Sequence, residues 1–437
     1  MARPLAVNES APVVALVRPT HVRYGVLAMT VAAYMITYMD RVVISSAAPS
    51  MRKEFGLDLI TMGWILASFR WGYSLFQIPG GWLGDRIGPR RALSIIVGWW
   101  SVFTSVTALC WGAGSLAACR FLFGIGEAGA FPIATRSLSR WMLPAERGMA
   151  QGVTHAGSRL GAALTPSLVV ALIVAYGWRM PFFVFGCMGL IWAVLWFVWY
   201  RDTPDEHSGT NQAERDLIHQ SMGGARSATT RSVPWKAILA SRCLWYVSMM
   251  YFCYGYCLSV YLDWFPTYLK EHRGFSLVQM GIYASLPLLA GTAGDLAGGW
   301  FSDWILRVTG NIAFARRSVG IAGFLIAAAG IIPATLTHDP ITCVAFSCLG
   351  VFGLELTVGV SWALPLDIAA DYAGSASALM NMCGNIGGAI SPTMLAYLVK
   401  AYGWDLPFFV ASGLCLMAAL LFCKIDASRR IFRESAL

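Results

Sequence analysis

Apolar runs alternate with short polar stretches along the whole chain. A helix needs ~20 mostly apolar residues to cross the hydrocarbon core of a bilayer. Runs of that kind fall at 24–48, 60–83, 92–111, 115–138, 149–174, 180–200, 243–268, 277–302, 317–336, 341–364, 375–399 and 404–424. The pattern predicts an all-α membrane protein with twelve transmembrane helices. The one long polar gap, 201–242, carries Asp202, Asp205, Glu206, Glu214, Arg215, Asp216, Arg226 and Arg231 among Ser, Thr and Gly. It predicts a linker, helical around 211–221, between two bundles of six. The expected organisation is an N-terminal tail (1–22), a first bundle (23–200), the linker (201–242), a second bundle (243–424) and a C-terminal tail (425–437). Residues 1–22 mix Pro, Arg and polar types without an apolar core, so no cleavable signal is expected there.

The two sets of six are related. Residues 165–184 read TPSLVVALIVAYGWRMPFFV, and residues 391–410 read SPTMLAYLVKAYGWDLPFFV, at an offset of 226. A second echo pairs PGGWLGDRIG at 79–88 with AGGWFSDWIL at 297–306, after the second and eighth apolar runs. Parallel halves related by an axis along the membrane normal place a substrate site between them, near mid-membrane. Pro166 and Pro392 occupy one place in the two repeats, where each removes a backbone donor and can bend its helix.

Composition supports the membrane reading. Apolar types make up 57% of the 437 residues and charged types 13%, against roughly 25% charged in a soluble domain. The net charge of +9 does not point to nucleic acid, because the basic residues cluster between apolar runs. If both termini are cytoplasmic, the cytoplasmic segments hold 22 of the 32 Lys and Arg, and the outer segments hold only Arg52, Lys53, Arg179, Lys270, Arg273 and Lys400. That asymmetry predicts an inner-membrane protein with both termini inside. The eleven Cys form no CxxC and the six His no HxxxH, so no metal or other cofactor is expected. The expected partners are the lipid bilayer and a small solute, with a monomer as the working unit.

Charges inside a bilayer cost several kcal/mol each and mark functional positions. Four Arg lie within spans, at 41, 70, 120 and 159, and the acidic candidates are Asp40, Glu127, Asp263, Asp295 and Glu355. Arg120 and Glu127 share a helix face ~10 Å apart, too far to pair directly. Adjacent Asp40 and Arg41 point about 100° apart. Arg41 shares a face with Tyr34, Tyr38 and Ser45, and Arg70 with Tyr73 and Gln77. In the second half Tyr254, Leu258 and Tyr261 share a face, Ser361 and Trp362 lie in the tenth span, and Asn381 and Asn385 lie four apart in the eleventh. His155 reads as a satisfied interior imidazole or a pH sensor. Convergent Arg, Tyr, Gln and Asn suit a hydroxylated carboxylate. If Arg70 and Arg159 both face the cavity, the site favours a dianion or requires pairing with Asp263 or Glu355.

The loop Gly81-Trp82-Leu83-Gly84-Asp85-Arg86-Ile87-Gly88-Pro89-Arg90-Arg91 resembles the signature of the major facilitator superfamily. The resemblance implies a two-bundle fold, with Asp85 and Arg86, and Asp303 in the second-half copy, as gating residues. Within that superfamily the chain resembles the anion:cation symporters, which include bacterial sugar-acid/proton symporters and relatives of sialin and the vesicular glutamate transporters. The likeness rests on Tyr38-Met39-Asp40-Arg41, on Tyr73 with Gln77-Ile78-Pro79, on Arg120 to Gly129, on Trp264 to Leu269, and on Asn381 with Gly384-Asn385. It implies proton coupling through Asp40 and Glu127. The substrate-binding set is then Tyr38, Arg41, Tyr73, Arg120, Ser361, Trp362, Asn381 and Asn385. Additional cavity positions are Arg70, Gln77, Arg159, Tyr254, Tyr261, Asp263 and Glu355. The expected function is proton-coupled symport of an organic anion, most simply a sugar acid (aldonate, aldarate or hexuronate), by alternating access. The alternatives are a uniporter or exporter of another organic or aromatic acid, a phosphate carrier, or an integral membrane enzyme. No nucleophile with a base, phosphate-binding loop or metal spacing favours an enzyme.

Overall fold

The computed structural model describes residues 18–143, 146–222, 235–369 and 373–428. The side chains of Ile78, Asp85, Gly148, Met222, Ala373 and Gly374 fall outside that description. The chain begins with α1 (Val22–Phe55), α2 (Leu59–Thr107), α3 (Ala113–Glu127), α4 (Ala130–Trp141), α5 (Arg147–Tyr176) and α6 (Met180–Trp199). Short helices α7 (Gln212–Met222) and α8 (Trp235–Ala240) lie in the linker. The second half holds α9 (Arg242–Ser259), a π-helical turn (Val260–Trp264), α10 (Phe265–Glu271), α11 (Leu277–Thr309), α12 (Ile312–Leu336), α13 (Pro340–Leu356), α14 (Val358–Ile368), α15 (Ala373–Tyr402) and α16 (Asp405–Lys424).

Among the described residues, ten helical segments are long and apolar enough to cross a membrane. The second and third expected spans are fused into α2, a difference from the sequence reading. Gly88, at φ 79° and ψ 155°, divides α2 into two arms. Only glycine takes that φ without strain, and the extended ψ is what a following Pro89 demands. The arms, ~43 Å and ~28 Å long at 1.5 Å per residue, complete a set of twelve rods. Two spans are instead interrupted. The fourth breaks between α3 and α4, and the tenth breaks at Thr357 between α13 and α14. Helix starts outside the bilayer are capped by side chains. Asp58, Ser276 and Asp339 accept the amides of Thr61, Gln279 and Thr342 at 2.9, 3.2 and 2.8 Å. Those bonds satisfy free helix N–H groups; at Asp339 the Thr342 hydroxyl, with the Thr342 amide second, holds the carboxyl below its usual range.

The two halves pack alike. In the first, α1 packs on α5 and α2 on α3 and α6; in the second, α9 packs on α15, α13 on α11 and α12, and α16 on α12. Across the halves, α5 meets α11 and α2 meets α15. The chain ends and the linker share one side. Thr20 donates to Glu214 at 2.6 Å, Arg23 pairs with Glu214 at 3.2 Å, the Arg90 amide donates to Asp202 at 3.0 Å, and Arg317 donates to the Ile425 carbonyl at 2.6 Å. This side is called the terminal side below, and the other the far side. Large apolar side chains such as Ile191, Val194, Val198 and Leu420 remain exposed along the outer helices, as a lipid-facing surface requires.

Candidate binding cavity

A cavity of about 1250 Å³ lies between the halves. Its wall comes from α1, the first arm of α2, α4, α5, α9, the π-helical turn, α11, α14 and α15; α6, α12 and α16 stand outside it. Toward the terminal side it reaches Gln151, Asp303 and Ser377. Toward the far side it ends at Arg70 and Asp263, paired at 3.3 Å. Beyond that pair the halves touch directly. Ser167 Oγ lies 3.0 Å from Ser285 Oγ and donates to the Gly281 carbonyl at 3.1 Å. Thr393 donates to the Gly63 carbonyl at 3.4 Å, and Arg52 pairs with Glu271. The molecule is therefore open to the terminal side and shut on the far side.

Three guanidiniums face this cavity, and each has a carboxylate partner. Arg41 pairs with Glu127 and is surrounded by rings, its guanidinium carbon 4.8 Å from the Tyr38 centroid and 5.0 Å from that of Tyr73. Arg70 pairs with Asp263 across the halves. Arg159 pairs with Glu355 at 2.8 Å, also across the halves, and lies 3.8 Å from Asp295. Tyr254 joins that last pair, accepting from Arg159 at 3.3 Å and donating to Glu355 at 3.2 Å. Both conditional readings of Arg70 and Arg159 are thus answered: they face the cavity, and both are paired.

Tyr38, Tyr73, Gln77, Tyr254, Asp263, Trp362, Asn381, Asn385 and Asp303 also line the wall. Trp362 donates to Tyr251 at 2.9 Å, and Asn385 to the Asn381 carbonyl at 2.9 Å. Six expected positions lie elsewhere. Glu127 is buried and reaches the wall only through Arg41. Asp40 is buried behind the wall, where it accepts from the Trp100 indole at 3.1 Å. Arg120 is buried with its guanidinium on Phe123, at 4.5 Å, and Phe69, at 5.1 Å. Ser361 turns away, donating to the Thr357 carbonyl at 2.7 Å. Tyr261 packs on Phe265 and Phe408. Glu355 is buried and reaches the wall only through Arg159 and Tyr254.

The Tyr261 displacement has a clear cause. The π-helical turn at Val260–Trp264 inserts an extra residue, so the face begun by Tyr254 and Leu258 continues at Leu262 and Asp263. Of the gating set, the Asp85 side chain lies outside the described residues. Arg86 stacks on Trp82 at 5.2 Å, and Asp303 pairs with Arg316 at 3.3 Å within its own half. Arg316 also holds Asp367 at 3.0 Å. Sequence reasoning missed Tyr251, although it lies one turn before Tyr254 on the same face. It also missed Phe131, which packs on Tyr34 and His155. Among the described residues no group of His, Cys, Asp and Glu is arranged to hold a metal.

The family described as the Major Facilitator Superfamily matches residues 30–392. The chain belongs to the Major Facilitator Superfamily. Its relatives in this superfamily are transporters rather than enzymes, and transporters of this type need no cofactor. One, a probable sulfoacetate transporter of Cupriavidus necator, is 42% identical over 91% of this chain and 92% of its own. The hexuronate transporter of Bacillus subtilis is 32% identical over 89% and 91%. The D-galactonate transporter of Escherichia coli is 31% identical over 92% and 95%. Among solved structures, a bacterial homologue of the human lysosomal transporter Spinster, inward-facing and occupied, superposes with a TM-score of 0.76 at 18% identity, over 92% of this chain and 96% of that one.

Proposed function

We propose that this facilitator superfamily protein is a proton-coupled symporter of a small organic anion. It resides in the inner membrane as a monomer with both termini in the cytoplasm. Residues 23–200 and 243–424 are the two bodies that rock about the central cavity. The cytoplasmic assignment rests on the Lys and Arg excess of the terminal side. On that assignment the structure is inward-open.

The pair of cavity-facing Arg41 with Glu127, buried behind it, carries the coupling proposal. A substrate acid group competes with Glu127 for the fork of Arg41. Glu127 is fully buried, and a carboxylate deprived of its cation there is stabilised by taking up a proton. Anion binding and proton binding thus favour each other, which is the linkage symport needs. Tyr38, Tyr73, Gln77, Asn381 and Asn385 supply donors and acceptors for the rest of the solute. Sugar acids, with a carboxylate and several hydroxyls, match these donors and acceptors, and two relatives are named as transporters of them. The 42% identity to a sulfoacetate carrier favours a second solute class, short sulfonated acids.

Uptake into proteoliposomes under an inward proton gradient, with aldonates, aldarates, hexuronates and sulfoacetate, tests the proposal. Accumulation of at least one is expected, collapsing when a protonophore is added. Glu127→Gln is expected to abolish gradient-driven accumulation while exchange of internal for external substrate continues. Unchanged accumulation by that variant would remove Glu127 from the coupling.

A further inference from the structure

The two halves hold buried glutamates at matching places in paired spans. Glu127 is the last residue of α3, just before the break in the fourth span, and Glu355 is the last residue but one of α13, just before the break in the tenth. Both side chains are buried, and each is held by an Arg that faces the cavity. We propose that Arg159 and Glu355 form a second anion-for-proton exchange site beside Arg41 and Glu127, and that the transported solute is a short dianion whose two acid groups each take one guanidinium. The proposal rests on the anion symport reading above and narrows its substrate class.

The spacing of the two Arg supports this. Both guanidiniums pack on one ring, that of Tyr38, at 4.8 Å for Arg41 and 5.8 Å for Arg159. Added together, those distances cap the separation of the guanidinium carbons at about 11 Å. An acid group in forked contact places its central atom roughly 4 Å from the guanidinium carbon. That cap lets a short dianion reach both guanidiniums at once.

The exchange balances. The charged and titratable groups facing Glu355 are Arg159 from α5, Tyr254 and Tyr251 from α9, and Asp295 from α11. When a substrate acid group takes Arg159, Glu355 keeps only the Tyr254 hydroxyl as a donor among these. It then takes a proton from the water of the open cavity and returns it when the acid group leaves. Glu127 does the same opposite Arg41. One dianion therefore moves with two protons and no net charge. Arg159 also joins the first half to the second, so occupation of this site loosens a contact between the moving bodies.

The test uses the full-length protein and named probes. Sulfoacetate and malonate are the short dianions, acetate and methanesulfonate the matched monoanions, and glucarate the long dianion. Affinities come from calorimetry, and proton uptake from pH changes in weak buffer. The wild type is expected to bind a short dianion at least about tenfold tighter than either monoanion, with two protons taken up. Arg159→Gln combined with Glu355→Gln is expected to erase that preference and reduce uptake to one proton. Removing both partners avoids leaving one buried charge alone. Should the double variant fail to fold, Arg159→Lys keeps the charge without the fork and is expected to reduce the preference. Retention of the dianion preference and both protons in the folded variants overturns the inference. A wild type that carries monoanions with one proton overturns it too, while leaving anion symport standing. Failure of every probe and every sugar acid to bind removes both.

Discussion

Asp40 and Arg41 are neighbours in sequence with opposite surroundings. One accepts from Trp100 on the second arm of α2; the other faces the cavity and holds Glu127. Their 100° separation on a helix makes one side chain a packing partner of the second arm of α2 and puts the other on the cavity wall. Asp40→Asn preserves size and the acceptor for Trp100. Its dissociation constant is expected to stay within about twofold of wild type, since residues away from a contact seldom move it further. Arg41→Lys keeps the charge but loses the planar fork and is expected to weaken binding about tenfold. Calorimetry on the purified proteins separates the two. An Asp40→Asn loss as large as that of Arg41→Lys would place Asp40 in the binding site itself.

At the scale of elements, close helix approach sets where the cavity wall stands. Gly124 of α3 lies against the first arm of α2. A Cβ there would press on the Phe69 carbonyl and sit 2.9 Å from the Tyr73 amide nitrogen. Both contacts are backbone and cannot swing aside. Gly124→Ala is expected to cost ~1–3 kcal/mol through forced separation of the helices, read as a lower unfolding midpoint. It should also weaken binding, because Phe69, Arg70 and Tyr73 move with that arm. Gly413→Ala on α16 meets no atom within 4 Å, so its midpoint should hold or rise, as helix propensity dictates. Equal destabilisation by both would mean that the α2–α3 contact is no special constraint. This scale also explains what the sequence made legible. Hydrophobic run length located the rods, and the i, i+3, i+7 rule placed Arg70, Tyr73 and Gln77 together on the wall. The rule failed at Tyr261, where a π-helical turn shifts the phase; Ser361, expected from the resemblance alone, turns away four residues beyond the break at Thr357. Such local departures from 3.6 residues per turn leave no periodic signal. Nor does spacing reveal that Arg159 meets Glu355 or that Arg316 meets Asp367, since those pairs depend on how separate rods are stacked.

For the whole molecule, alternating access requires that the far-side contacts between halves part as the terminal side closes. Those contacts form a layered seal, with Arg52–Glu271 outermost, Ser167 against Ser285 and Gly281 beneath, and Arg70–Asp263 at the cavity end. Each layer joins one half to the other, so none survives a rigid rocking of the halves. Ser167 and Ser285 offer a direct handle, because their Oγ atoms are 3.0 Å apart. Side chains that close lie within the range a disulfide spans. Ser167→Cys combined with Ser285→Cys is expected to cross-link under mild oxidant and to hold the molecule open to the terminal side. Uptake should then fall at least about tenfold, as a fixed inter-half bond removes the state open to the far side from the ensemble, and return on reduction. The eleven native Cys are controlled by the two single variants, which should keep their activity under the same oxidant. Substrate binding from the terminal side should persist in the cross-linked protein, since its cavity is already open there. Full cross-linking with undiminished uptake would show that the halves do not separate at α5 and α11, and the rocking axis would have to lie elsewhere.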